Sequence, residues 1–129
     1  MDYKGVLRWD WEGMVMKQSS IEFSLPPDVR RIDVLPFVFR WPGYMHIRVK
    51  KNVALIDPKT GFHVTYGRLA QQVSEIFSTF IQRFGDDFDG SATGIQLGPK
   101  AVTFHNLRIH QVYIEQRTLQ AEVSYTRRN

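Results

Sequence analysis

Apolar and polar positions alternate in twos over much of this chain, and once, near the middle, they switch to the 3.6-residue period of a helix. From Val6 to Trp11 the apolar Leu7, Trp9 and Trp11 alternate with Arg8 and Asp10, which predicts a half-buried strand. Glu12-Gly13 reads as a turn. Met14 and Met16 then alternate with Val15 and Lys17, and after Gln18-Ser19-Ser20 the pattern resumes as Ile21, Phe23 and Leu25 with its phase shifted by one residue. A bulge or break in one long strand is expected there. Pro26-Pro27 ends the strand, because proline has no N–H for the ladder and fixes its own φ, and a loop or short helical turn should follow.

The densest apolar stretch runs from Ile32 to Tyr44 and gathers Val34, Leu35, Phe37, Val38, Phe39, Trp41 and Tyr44 around Pro36 and Pro42-Gly43. Two readings are open for it, a buried strand or an exposed docking surface, and burial is the commoner fate of such a run. Tyr44 to Lys51 alternates with Met45, Ile47 and Val49 toward the core and His46, Arg48 and Lys50 on the opposite face. Val53–Ile56, the turn Asp57-Pro58-Lys59-Thr60-Gly61 and Phe62–Val64 form a hairpin pattern, with Asp-Pro opening the turn and glycine closing it.

Leu69, Val73, Ile76, Phe77, Phe80, Ile81 and Phe84 make one apolar stripe at helical spacing and predict a long amphipathic helix over about 65–84. Thr65 suits the N-cap and Gly85 the left-handed position after the C-terminus, while Gln72, Ser74, Glu75 and Arg83 belong to the wet side. A helix of this length is marginal alone in water, so the stripe demands a sheet to cover it. Beyond the acidic loop Asp86–Gly90, short apolar pieces flank Gly98-Pro99. Two final strands follow, with a phase slip near Gln111 and a turn near Gln116-Arg117. The expected fold class is α+β, a mostly antiparallel twisted sheet packed against one long amphipathic helix. No repeat, linker or low-complexity tract divides residues 1–129, so one domain is expected.

Composition sharpens this picture mainly by exclusion. With 43% hydrophobic and 23% charged residues, the chain has ample apolar material for a core and too much of it for disorder. The absence of cysteine removes disulfides, zinc-thiolate sites and a thiol nucleophile, and points to a reducing compartment. The start of the chain lacks a signal-peptide pattern and no stretch approaches a membrane span, so an intracellular setting, cytoplasmic or nuclear, is expected. Net charge is +4, an excess compatible with an anionic partner but also with simple solubility.

Candidate chemistry is sparse. His46, His63, His105 and His110 lack metal-ligand spacing, and no serine sits in a nucleophile elbow, nor does a glycine-rich phosphate loop precede the helix. Asp87-Phe88-Asp89-Gly90 resembles the start of a calcium loop, yet Gly98 stands where the bidentate glutamate belongs. Trp9 and Trp11 offer base-stacking surfaces, although aromatics alternating with polar residues usually face a core. Neither a cofactor nor a metal is expected. One cluster stands out: His46, Arg48 and Lys50, with Lys51 beside them, would join Arg108 and His110 in a basic stripe if the two strands lie close. The bland alternative is that these cations only keep a sheet edge soluble and unpaired.

Several short features lie in a suggestive order: Leu7-Arg8-Trp9-Asp10, an extended strand after the Trp41-Pro42 pair, Val64-Thr65 leading into the helix, and Lys100 followed by Phe104 and Leu107. In this layout, which spans most of the chain, the sequence resembles an uncharacterised small-domain family abundant in mushroom-forming fungi. That family carries no known activity, so the resemblance transfers no functional residue. The expected function is a non-catalytic protein-interaction or self-assembly module, acting through a sheet face or through Phe37, Phe39, Trp41 and Tyr44, with a protein partner or a second copy. The alternative is a nucleic-acid or anionic-membrane-surface binder using the basic face. An enzyme ranks last.

Overall fold

A computed structural model of the chain describes Arg8–Trp9 and residues 32–126. The turn at Glu12-Gly13, the alternation over 14–25 with its phase shift, and the proline stop at 26–27 lie outside the described residues. So does most of the first expected strand, of which Arg8–Trp9 (β1) is described.

The apolar run condenses as β2, Val34–Phe39, with Leu35, Phe37 and Phe39 turned inward and buried. Its neighbour β3, Val49–Ala54, pairs antiparallel with it, placing Phe37 opposite Lys51 and Val38 opposite Lys50. The last two strands, β4 (Leu107–Glu115) and β5 (Thr118–Tyr125), form the terminal hairpin. The phase slip expected near Gln111 appears as a register shift between Ile109 and Gln111, and the turn falls on Gln116-Arg117. The sheet order is β1-β4-β5-β2-β3. Its two hairpin-like ladders are antiparallel, while β1–β4 and β2–β5 are parallel, so the sheet is mixed. Alternation reads which face a residue takes but not which distant strand lies alongside. The parallel contacts are therefore invisible to it.

Helix α1, Tyr66–Phe84, lies on one face of this sheet, which makes the fold α+β. Thr65 caps it, its hydroxyl accepting the Arg68 N–H at 3.1 Å. Leu69, Val73, Ile76, Phe77 and Phe80 are buried, as the stripe requires, with Ile81 and Phe84 packed at its border. Phe77 sits edge-on to Phe37, Phe39 and Trp41, and Phe80 stacks on Phe39 with ring centroids 3.8 Å apart.

Four expectations need correction. Residues 44–48 form turns rather than strand: the Tyr44 N–H bonds Trp41 O, and the Ile47 N–H bonds Tyr44 O. Met45 is consequently 58% exposed instead of facing the core, while Tyr44 is buried. Ser74 is buried too, because its hydroxyl donates to Ala70 O at 2.7 Å and so needs no water. Gly85 keeps right-handed helical angles and continues into a 3-10 turn, Gly85–Asp87. Its value lies in space: a Cβ there would stand 3.3 Å from Leu97 O, where the 95–97 segment passes against the helix end.

Candidate functional site

The basic residues expected to form one stripe are dispersed by the topology. Lys50 and Lys51 lie on opposite faces of β3, since Lys51 shares the inward face with Phe37 and Lys50 the open face with Val38. Arg108 lies on β4, opposite Ser124, and β5 and β2 intervene before β3 is reached. Three strand spacings amount to about 14 Å, and β5 contributes Glu122 and Ser124 to the gap. His110 occupies the bulge, its Nε2 2.6 Å from Ser124 Oγ. His46, Arg48 and Lys50 are exposed, as expected of an outer face, and so are Lys51 and Arg108. Thus β3 and the turn before it carry His46, Arg48, Lys50 and Lys51, but Arg108 and His110 belong elsewhere.

Of the two readings open for the aromatic run, the structure shows the buried one, and this removes these residues as a docking surface. Phe37, Phe39, Trp41 and Tyr44 are each at most 5% exposed and have no surface to offer a partner or a nucleobase. Trp41 Nε1 donates to Ile95 O at 2.8 Å. The Tyr44 hydroxyl donates to Gly85 O at 2.8 Å and accepts the Leu97 N–H at 2.8 Å. Burial raises the Tyr44 pKa above its usual value, opposed by the Leu97 N–H and reinforced by Asp86, Asp87 and Asp89.

The acidic loop is organised by its own backbone. Asp89 accepts the Ser91 N–H at 2.8 Å, which with the Ser91 hydroxyl holds its carboxyl below the ordinary range; nearby His46 adds a smaller pull. Among the described residues no group of three or more His, Cys, Asp or Glu is placed to hold a metal ion. The Ser124–His110 pair has nucleophile-to-base spacing, but it lies across two strands and outside both grooves described below.

What the fold assembles instead is an unpaired edge. Among the described residues β3 ends the sheet, and its side away from β2 carries no neighbouring strand. At Ala54 that outward side is closed by Gln72 of α1, whose Oε1 accepts the Ala54 N–H at 2.8 Å and whose Nε2 donates to Ala54 O at 2.9 Å. Outward groups recur every second residue in an antiparallel edge strand, so the N–H and C=O of Asn52 and Lys50 also point away from the sheet. Gln72 therefore shows what the edge accepts: an amide that donates and accepts in one plane.

Grooves flank this edge on both faces. One, of about 450 Å³, lies between β3 and α1 with Val49, Ile76, Phe80 and Phe84 as its apolar part. Lys51, Arg83 and Glu75 stand around it. The other, of about 690 Å³, opens on the face away from α1 beside Val38, Arg40, Met45 and Glu115. Both share Arg48, Val49 and Lys50. The sequence reading placed Gln72 and Arg83 on the wet side of the helix. The overlooked signal is that Gln72, Ile76, Thr79 and Arg83 form one row at helical spacing along the border of the apolar stripe.

No family model, curated protein or solved structure matches this chain. Among the described residues no helix is long and apolar enough to cross a membrane.

Proposed function

We propose that this chain is a non-catalytic protein-interaction module that receives an extended segment on the edge of β3. The observation that carries the reading is the outward backbone of Lys50 and Asn52, set between two grooves that share Arg48, Val49 and Lys50. A strand added there gains main-chain hydrogen bonds from the edge, and its side chains fall alternately into the two grooves. An edge with free backbone groups is otherwise a hazard that folded proteins cover or charge. Here the cover, Gln72, stops at Ala54. The lack of cysteine suits a reducing compartment, the cytoplasm or nucleus.

Binding of nucleic acid or anionic lipid is the second reading, favoured by the exposed Arg48, Lys50 and Lys51. It ranks lower because Phe37, Phe39, Trp41 and Tyr44 are buried, and a phosphate backbone has no use for an apolar groove floor.

Selection of a displayed random-peptide library against the protein tests the proposal. The expected peptides are extended and proline-free, and they lose binding to an Asn52→Pro variant. That change removes an outward N–H while leaving the β2 ladder intact, so the melting temperature stays close to that of the parent. Selected peptides that bind Asn52→Pro undiminished, or retention of single-stranded RNA at physiological salt with no peptide selected, would overturn it.

A further inference from the structure

We infer that the occupant of the β3 edge is an acidic segment of another protein in which carboxylate and apolar residues alternate. This deepens the protein-interaction reading and rests on it.

Charge selects the partner's class. On the open face, Arg40, Arg48 and Lys50 surround the groove against one carboxylate, Glu115. On the helix side, Val49, Ile76, Phe80 and Phe84 give the groove an apolar floor, with Lys51, Arg83 and Glu75 at its rim, so an apolar side chain fits its depth. A strand laid along β3 presents successive side chains to opposite faces. Its apolar residues then reach the helix-side groove, and its acidic residues meet Arg40, Arg48 and Lys50. Gln72 closes the Ala54 end, which limits the main-chain contacts to Lys50 and Asn52 and hence to a short segment.

A second copy of the chain fits this edge poorly. Antiparallel self-pairing through the outward groups of Lys50 and Asn52 centres on Lys51 and sets two Lys51 ammonium groups directly opposite each other. Parallel self-pairing keeps Lys50 and Lys51 close to their copies as well.

Fluorescence anisotropy with two labelled, end-blocked synthetic octapeptides provides the test, one of alternating glutamate and valine and one of alternating lysine and valine. The glutamate peptide should bind the parent protein roughly tenfold or more tighter than the lysine peptide, with affinity falling as salt is raised. In the double variant Arg48→Glu with Lys50→Glu the preference should invert. Both side chains are exposed, so an unchanged melting temperature confirms that the variant is folded. Equal binding of both peptides, lost in Asn52→Pro, would overturn the acidic specificity while leaving the interaction reading in place. Failure of both peptides, with poly(U) RNA or phosphatidylserine vesicles bound and then lost on charge reversal, would overturn both. Failure of both peptides with a dimer seen by light scattering would replace the acidic partner with a second copy.

Discussion

Tyr44 ties three segments together through a single oxygen. Its hydroxyl donates to Gly85 O at the end of α1 and accepts the Leu97 N–H, while its ring packs edge-on to Phe80. Tyr44→Phe leaves a buried N–H and a buried C=O without this partner and should cost about 1–3 kcal/mol in chemical denaturation. The same residue gives a pH signature. Because burial raises its folded pKa, its contribution is fully present below the unfolded value of about 10 and is lost as pH rises through the folded value. Stability should therefore fall more steeply above about pH 10 in the parent than in Tyr44→Phe. Parallel slopes would contradict the buried hydroxyl. Nothing in the sequence distinguishes Tyr44 as a tether, since its partners are backbone groups 41 and 53 residues away. Phe88 is equally hidden: its ring fills a slot where a Cβ on Gly43 or Gly94 would stand 2.3 and 2.5 Å away.

Elements were legible where their period was unbroken. The stripe from Leu69 to Phe84 specified the helix, its Thr65 cap and its buried face, and the alternation past Leu107 located both the bulge and the turn. It failed at 44–48, where apolar residues alternate by coincidence with a turn tied back to Trp41. Phe77→Ala tests the helix–sheet core. The ring touches three aromatic neighbours, so its loss should cost about 3–5 kcal/mol through transfer energy and the cavity left behind. An unchanged denaturation midpoint would mean that the stripe packs elsewhere. The terminal hairpin turns on two non-glycine residues with positive φ, Gln116 at 50° and Arg117 at 60°. Left-handed backbone is unfavourable for such residues, and the double change Gln116→Asn with Arg117→Gly should stabilise the protein by about 1 kcal/mol. A fall in melting temperature would show that the side chains at the turn matter more than its backbone.

At the scale of the whole molecule, the candidate site depends on strand order, which local pattern does not contain. The sequence marked Arg48, Lys50 and Lys51 as a basic cluster, and they do fall together on β3 and the turn just before it. It could not show that β4 lies three places away, nor that among the described residues β3 ends the sheet with Gln72 closing only one end. The central claim is that Lys50 and Asn52 keep their backbone free for an incoming strand. Amide hydrogen exchange followed residue by residue tests it most directly, first on the protein alone and then with the alternating glutamate–valine peptide. In the free protein the Lys50 and Asn52 amides should exchange quickly while Lys51 and Val53, bonded into β2, are protected, and the peptide should slow Lys50 and Asn52 selectively. Slow exchange at Lys50 and Asn52 before any peptide is added, or protection that appears elsewhere when it binds, would contradict the account.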